Sequence, residues 1–276
     1  MKQMRLLVTG LSLVALIVTG CGLNPAGRVD AGAQRAAVSV KARNVPASYY
    51  APAQGKQGQA LLQALRGVVA EHTDLGYNQA RDVMFADADD LDNNNVVECV
   101  YIGRTLPNIT NRGTAFHNGR GFNAEHTWPQ SKGAVGAAKA DLHHLFASDC
   151  NANSTRGSFP FGEVEHEDWS QGGSQRGTDA QGNTVFEPRA EHKGNVARAL
   201  LYFYTVYGHL GSTDLVNFRL EEETLKAWHQ ADPVTAEDRQ RNDIVFKAQG
   251  NRNPFVDHPE FVQAIGKFQD AQRARR

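Results

Sequence analysis

The sequence is poor in cysteine and has almost no excess charge of either sign. Its 276 residues include three cysteines, and 29 lysines and arginines nearly balance 30 aspartates and glutamates. Three cysteines are too few for a disulfide-rich scaffold or a four-cysteine zinc site. A net charge of -1 gives no global attraction to nucleic acid or to an anionic membrane. Recognition of either partner must therefore depend on local charge.

Long apolar runs are also missing, except at the N-terminus. There Lys2 and Arg5 precede an apolar stretch that is too short for a comfortable membrane-spanning helix and is typical of a signal peptide. The stretch closes on residues 18–21, Val-Thr-Gly-Cys, which resembles the lipobox of bacterial lipoproteins. We expect a signal peptide over residues 1–20 and a lipid on Cys21. An ordinary signal peptide with an incidental cysteine is the alternative.

Export determines how the other two cysteines are interpreted. The mature protein is expected to be anchored to the bacterial cell envelope by lipid, or secreted if the lipobox is not used. If Cys21 carries lipid, Cys99 and Cys150 remain as an even pair in an oxidising compartment. A disulfide and two separate buried thiols are both compatible with the sequence, because spacing alone does not show that the two residues approach each other.

Composition divides the mature chain into a tether and one folded domain. Residues 21–58 are rich in Ala, Gly, Pro and Gln with little hydrophobic periodicity, which predicts a flexible tether. Residues 59–276 suffice for one monomeric domain with a sizeable core. Apolar spacing predicts helices over residues 60–72, 77–86, 142–154, 196–207 and 215–229, a strand over 96–102 and a loop over 159–182. The expected class is a helix-rich α+β fold.

The densest group of reactive side chains lies in residues 122–131 and 141–157. Hydrolysis of a phosphodiester requires a base that activates water, a cation on the phosphate oxygens and oxygen ligands for that cation. Glu125, His126 and Asn153 supply those types. Neighbours on a regular strand point to opposite faces, so Glu125 and His126 converge only if the strand bends there.

Two further features bear on these residues. Pro129 makes a strand end close to His126 plausible, because proline supplies no ladder donor. On the predicted helix Asn153 shares a stripe with Leu142, and a polar side chain on an apolar stripe needs a partner, for which a metal is a candidate.

Positive charge is concentrated around the candidate site. Residues 101–140 contain five bases and one acid, Glu125, which gives this segment a net charge of +4. The bases are Arg104, Arg112, Arg120, Lys132 and Lys139. A solvated charged face is the alternative to a nucleic-acid contact.

Several long runs of the sequence together resemble one known family. Residues 122–131, 141–157, 159–164, 193–198 and 249–260 are similar, in this order, to the bacterial endonuclease I family, whose active site is a ββα-metal or His-Me finger. The resemblance covers roughly residues 77–261. Several long runs in order are far more specific than one short motif.

The resemblance implies roles for individual residues. Glu125 and Asn153 would be the metal ligands and His126 the general base, with one Mg²⁺ or Mn²⁺ per active site and 5′-phosphate products. DNA is the expected substrate, with RNA left open and little sequence specificity. The family also steadies the phosphate with an arginine, but the stretch that bears it is not matched. Arg156, Lys193 and Arg198 are candidates for that role by charge alone, and a structural role is equally compatible with each.

Other prominent residues are interpreted as structural. His143 and His144 would point about 100° apart on a helix, which favours packing over shared metal binding. Trp128 is expected in the core, and residues 251–258 are expected to act as a structural clamp.

Two other functions compete with the nuclease. A zinc peptidase is weakened by the missing His-Glu-x-x-His pattern and by Pro129, which opposes a helix there. A non-catalytic surface lipoprotein that binds nucleic acid would need basic and aromatic surface without a convergence of Glu, His and Asn.

Overall fold

The computed structural model describes residues 45–269. The predicted signal peptide, the lipobox with Cys21 and most of the predicted tether lie outside the described residues. Within residues 45–269 there is no helix with both the length and the apolar character needed to cross a membrane.

The described chain combines many helices with small antiparallel sheets, which confirms the α+β class. The helices are α1 (Gly58–Val69), α2 (Tyr77–Val83), α3 (Arg112–Phe116), α4 (Cys150–Arg156), α5 (Ala190–Tyr207), α6 (Val216–Ala231), α7 (Ala236–Gln249), α8 (Pro254–Asp257) and α9 (Glu260–Ile265). The strands are β1 (Val96–Glu98), β2 (Thr105–Pro107), β3 (Phe122–His126), β4 (Leu145–Asp149), β5 (His166–Gln171), β6 (Ser174–Thr178) and β7 (Thr184–Glu187). They pair as β1-β2, β3-β4 and β5-β6-β7.

Helix α5 is the centre of the core. Every residue of α5 from Val196 to its end is buried, as expected for a helix that is apolar on nearly all sides. Its Phe203 ring stacks on Trp128 at 4.6 Å between centroids, and its Tyr204 ring stacks on Phe218 of α6 at 4.4 Å. The prediction that Trp128 belongs to the core is thus confirmed. Because Trp128 follows β3 closely, this stack ties the end of that strand to the core.

The segment predicted as one helix over residues 142–154 is instead a turn, a strand and a short helix. Residues Leu142–His144 form a 3-10 turn, β4 pairs with β3 in an antiparallel ladder, and α4 begins only at Cys150. The Asp149 side chain accepts hydrogen bonds from the N–H groups of Asn151 and Ala152, which defines the start of α4. Pairing with β3 thus overrides the local helical spacing, and the predicted stripe shared by Asn153 and Leu142 does not exist.

The predicted loop over residues 159–182 contains β5 and β6, so this prediction was wrong. The two strands form a hairpin around Gly172 and Gly173, whose φ angles of 57° and 89° lie in the left-handed region that favours glycine. A Cβ on Gly172 would lie 2.3 Å from the carbonyl oxygen of Ile102. The turn is therefore restricted to glycine by both backbone conformation and space.

The packed part of the chain begins earlier than the predicted end of the tether at residue 58. The Tyr50 hydroxyl donates to Asp257 Oδ2 at 2.6 Å, and the Tyr49 ring meets Phe246 edge-on at 6.0 Å. Two aromatic residues close together supply enough apolar surface to hold a segment that composition alone describes as flexible.

No disulfide joins Cys99 and Cys150, and both are buried. The Cys99 sulfur accepts a hydrogen bond from the Asp149 N–H at 3.1 Å, so it lies beside the end of β4. The structure thus agrees with two separate buried thiols, the alternative that the sequence left open.

Candidate active site

One face of α4 packs against one face of β3, and this contact brings the predicted ligands together. On β3, Asn123 and Glu125 are two residues apart and so share a face, roughly 7 Å from each other. On α4, Asn153 and Arg156 are three residues apart and share a side of the helix. Asn153 Nδ2 donates to Asn123 Oδ1 at 2.8 Å, and Arg156 Nε lies 3.0 Å from Glu125 Oε1. Asn153 and Glu125 are therefore neighbours on the same side of β3.

Glu125 is a buried carboxylate with well-defined partners. Only 2 % of its surface is exposed, and its Oε1 accepts a hydrogen bond from the Tyr101 hydroxyl at 2.8 Å. Burial raises the pKa of Glu125 above its usual range, although Arg156 and Tyr101 act in the opposite direction. Because Tyr101 and Arg156 both contact Oε1, the second oxygen, Oε2, lies on the other side of the carboxyl group.

Asn153 is oriented by the two acceptors that its amide nitrogen binds. Its Nδ2 donates to Asn123 Oδ1 and, at 3.3 Å, to the carbonyl of Ala124. These bonds fix the amide so that its carbonyl oxygen points away from both acceptors. A carboxylate and an amide oxygen on one side of β3 are the hard oxygen donors that Mg²⁺ or Mn²⁺ prefers, and such ions complete their coordination with water. The donor set at Glu125 and Asn153 therefore fits a hard divalent cation.

His126 is held as a neutral imidazole in one orientation. Its Nε2 lies 3.1 Å from the carbonyl of Lys139, an acceptor only, so Nε2 carries the proton. Its Nδ1 then has the free lone pair and accepts from the Gln130 side-chain amide at 3.3 Å. Burial, together with the neighbouring His144, holds the pKa of His126 well below its usual range. Nδ1 is thus the ring nitrogen that can accept a proton, and it faces an exposed glutamine.

The strand ends at His126, as Pro129 led us to expect, but it does not bend before it. The ladder with β4 runs in register to His126 and Leu145, so Glu125 and His126 project to opposite faces of β3. Tyr77 of α2 lies near both of them. Its ring centroid is 5.3 Å from that of His126. Burial and the charge of Glu125 raise the pKa of Tyr77 above its usual value, although Arg81 acts in the opposite direction. The two side chains therefore flank the same strand end from different sides.

The three candidate phosphate-binding cations are engaged in the fold. Arg156 is 1 % exposed, and its guanidinium binds Glu125, the Thr127 carbonyl and the Gly157 carbonyl. Arg198 is also 1 % exposed and pairs with Asp238, while Lys193 pairs with Glu163 and Glu187. Each of the three charged groups thus has carboxylate or carbonyl partners within the fold.

Most of the positive charge predicted around the site is locally neutralised. Arg104 pairs with Asp149, Arg112 with Asp82 and Lys132 with Asp214. All three acids lie outside residues 101–140, so the net charge counted over that segment does not include them. Sequence reasoning also missed Tyr77, Tyr101 and Gln130, which carry no distinguishing motif.

His143 and His144 are buried and bonded to backbone carbonyls, which confirms their predicted packing role. His143 Nε2 binds the Asn251 carbonyl at 3.1 Å, and His144 Nε2 binds the Ala138 carbonyl at 2.6 Å. Among residues 45–269, no three His, Cys, Asp or Glu side chains form a cluster that could hold a metal ion.

The predicted C-terminal clamp is built on Asp141, the residue before the 142–144 turn. Asp141 accepts hydrogen bonds from the hydroxyls of Tyr202 and Tyr207 and from Gln249 Nε2. Burial opposes its ionisation, but nearby histidines, His143 first, and the Gln249 amide lower its pKa to about 2. Asn251 joins the same network by donating to the Tyr202 hydroxyl at 2.6 Å. This polar network fastens the C-terminal segment to the turn that leads into β4, which confirms the structural role of Asn251.

A histidine held as a neutral imidazole, a neighbouring carboxylate and an amide oxygen lie around one strand end, and comparison with known proteins identifies the family of this chain. The profile of the Endonuclease I family matches residues 57–260. The chain belongs to the endonuclease I family and is a nucleic-acid-hydrolysing enzyme.

Individual relatives are nucleases with different substrates in their names. The chain is 34% identical to the extracellular ribonuclease of Bacillus amyloliquefaciens over 79% of this chain and 78% of the relative. It is 33% identical to the extracellular ribonuclease of Bacillus subtilis (strain 168), over the same shares of the two chains. It is 29% identical to an extracellular deoxyribonuclease of Aeromonas hydrophila over 43% of this chain and 49% of that protein.

Proposed function

We propose that this protein is an exported, metal-dependent endonuclease that cuts DNA, and also RNA, with little sequence specificity and leaves 5′-phosphate ends. The observation that carries the proposal is the orientation of His126, whose Nε2 proton is bound by the Lys139 carbonyl and whose Nδ1 is directed to the exposed Gln130. A neutral imidazole with one nitrogen anchored by a backbone carbonyl and the other facing an exposed side chain is suited to general-base catalysis.

In the proposed reaction, His126 Nδ1 takes a proton from the attacking water, which occupies the position where Gln130 now donates. Lys139 keeps the imidazole in the required tautomer while it becomes charged. Glu125 and Asn153 would hold one Mg²⁺ or Mn²⁺, which supplies charge stabilisation for the phosphate oxygens and the departing 3′ oxygen. Tyr101 and Arg156 hold Glu125 by Oε1, which would leave Oε2 to bind the cation. The order strand, strand, helix in β3, β4 and α4 supports a ββα-metal, or His-Me finger, core.

Both nucleic acids are proposed as substrates for a specific reason. The relatives that align over most of this chain are named ribonucleases, whereas those named deoxyribonucleases align over less than half of it. Their names, extracellular or periplasmic, support export of this chain as well.

The experiment that tests the proposal incubates the purified mature protein with supercoiled plasmid, linear duplex and RNA, each with Mg²⁺, with Mn²⁺ and with a chelator. We expect cleavage of DNA and RNA with either ion, 5′-phosphate ends and no cleavage in the chelator. Binding of DNA without cleavage under every condition would favour the non-catalytic alternative. Cleavage at an undiminished rate in the chelator would show that the reaction does not need a metal ion.

A further inference from the structure

Two cations lie over the ring of Tyr77, and this ring lies beside His126. Its ring lies against the imidazole, with the guanidinium carbon of Arg81 at 4.2 Å from the ring centroid and the Lys139 ammonium nitrogen at 4.6 Å. Arg81 is on the same helix as Tyr77, one turn later, whereas Lys139 belongs to the 3-10 turn Gly136–Ala140. The two cations over this ring, next to the proposed base, therefore belong to two separate elements of the fold. We refer to Tyr77, Arg81 and Lys139 as the cation–tyrosine cluster.

The two cations differ from most others in the described chain because neither forms an ion pair with a carboxylate of residues 45–269. Arg81 donates one hydrogen bond, from Nη2 to Asn78 Oδ1 at 2.7 Å, and its Nε is buried with no hydrogen-bond partner in the described structure. By contrast, the neighbouring Arg112 and Lys132 are paired with Asp82 and Asp214. The cation–tyrosine cluster therefore carries positive charge that no described side chain neutralises.

An aromatic ring stabilises cations only weakly in this setting. Cation–π contacts are weak and leave the net charge in place. Two like charges over one ring also repel each other, and an unsatisfied buried N–H is unfavourable. An anion that contacts Arg81 and Lys139 would reduce the repulsion between the two charges. A nucleic-acid backbone presents one negative charge per phosphate, which complements these two cations.

A second contact of Lys139 places the cation–tyrosine cluster beside the proposed base, His126. Its carbonyl accepts the Nε2 proton of His126, so the same residue orients the imidazole with its backbone and offers its ammonium group over Tyr77. A phosphate held by the cation–tyrosine cluster would lie next to the proposed base.

We propose that Arg81 and Lys139 bind a phosphodiester group of the nucleic-acid substrate, with Tyr77 as the positioning residue that holds both cations beside His126. The inference rests on the proposed nuclease function and assigns its phosphate contacts to residues that bear no recognisable motif. It replaces the candidates Arg156, Lys193 and Arg198, whose charged groups are occupied within the fold.

The test measures binding in the absence of metal, so that cleavage does not interfere. Fluorescent single-stranded and duplex oligonucleotides are titrated with wild-type protein, Arg81→Gln, Lys139→Gln and the double variant in chelator, at several salt concentrations. Each single variant should raise Kd about 3- to 10-fold and reduce the slope of log Kd against log salt by about 0.7 to 0.9. Arg81→Lys and Lys139→Arg, which keep the charge, should retain most of the affinity. Lys247→Gln and Arg219→Gln are matched controls on α7 and α6, and should change neither value.

The outcomes separate this inference from the proposed function. If the wild type cleaves nucleic acid with Mg²⁺ but the Gln variants bind with unchanged affinity and salt slope, the inference is wrong and the nuclease function stands. The same holds if the wild type cleaves but shows no measurable binding without metal. If the wild type neither cleaves nor binds, the proposed function fails as well. Melting temperatures within a few degrees of wild type show that the variants remain folded, and Tyr77→Phe, which keeps the ring, should bind as the wild type does.

Discussion

Arg156 of α4 and Glu125 of β3 form a buried ion pair in which Nε and Oε1 are 3.0 Å apart and the side chains are 1 % and 2 % exposed. This contact fastens the helix that carries one proposed metal ligand to the strand that carries the other. Removing one partner of a buried pair leaves the other charge without compensation, which is strongly destabilising.

Arg156→Ala should therefore lower the free energy of unfolding by about 3 to 5 kcal/mol, measured by denaturant titration. Arg176→Ala is the matched control, since Arg176 pairs with Asp168 while the two side chains are 30 % and 55 % exposed. Loss of such a surface pair should reduce stability by less than about 1 kcal/mol. Equal losses of stability for the two variants would show that the buried pair of Arg156 and Glu125 contributes no more than the exposed pair.

Replacement of the proposed metal ligands should separate metal affinity from turnover. Asn153→Ala and Glu125→Gln each remove or weaken one oxygen ligand, so the Mg²⁺ concentration for half-maximal cleavage should rise at least about 10-fold. Excess Mg²⁺ should partly restore the rate. Glu125→Gln is preferable to Glu125→Ala because the amide oxygen can still accept from the Tyr101 hydroxyl. An unchanged Mg²⁺ midpoint in both variants would argue against Glu125 and Asn153 as ligands.

The buried histidines should make a contribution to stability that is lost as the solution is acidified below about pH 6.5. Burial lowers the pKa of His192 to about 3 and that of His143 to about 4 in the folded protein. In the unfolded chain both titrate near 6.5, so between roughly pH 6.5 and 4 the unfolded state binds more protons at these two residues, and their contribution to the free energy of unfolding decreases as pH falls. His192 Nε2 is buried without a hydrogen-bond partner in the described structure, so His192→Phe should flatten this dependence.

The measurement is chemical unfolding at a series of pH values between 4 and 8. His192→Phe should remove on the order of 3 kcal/mol of the difference between the extremes. His166→Phe, at an exposed position of β5, is the control and should leave the slope as it is. A stability difference between wild type and His192→Phe that stays the same at pH 4.5 and 7.5 would contradict the burial of a neutral His192.

The acid limb of the activity profile should lie below the ordinary histidine value. The base must be unprotonated, and burial together with His144 holds the pKa of His126 well below 6.5, so the neutral form persists into mildly acid solution. A profile of kcat/KM against pH, recorded where circular dichroism shows the protein to be folded, should still be near its plateau at pH 6.5. A midpoint above 6.5 would contradict the environment described for His126.

The sequence predicted the helices of the core well because their apolar residues recur at helical spacing over long stretches. Thus α1, α5 and α6 were expected close to their actual positions. The failures arise where pairing is non-local or side chains are polar. Strand β4 has a short apolar run whose conformation is set by its partner β3, and β5 lies largely on the surface without alternation.

The candidate site was predictable in its residue types and not in its surroundings. Glu125, His126 and Asn153 were found from their chemistry and from the family resemblance. The contact between Glu125 and Arg156 and the position of Tyr77 beside His126 depend on how α4 and α2 pack, which no local pattern specifies. For the same reason, the charge-based choice of Arg156, Lys193 and Arg198 selected residues that the fold uses internally.

The central claim, that His126 is the base of a metal-dependent nuclease, is tested most directly by the cleavage rate of His126→Ala at saturating Mg²⁺, measured beside its Mg²⁺ affinity and melting temperature. We expect turnover on plasmid and RNA to fall by at least about 10²-fold while Mg²⁺ affinity stays at the wild-type value. Cleavage by His126→Ala at the wild-type rate would contradict the account.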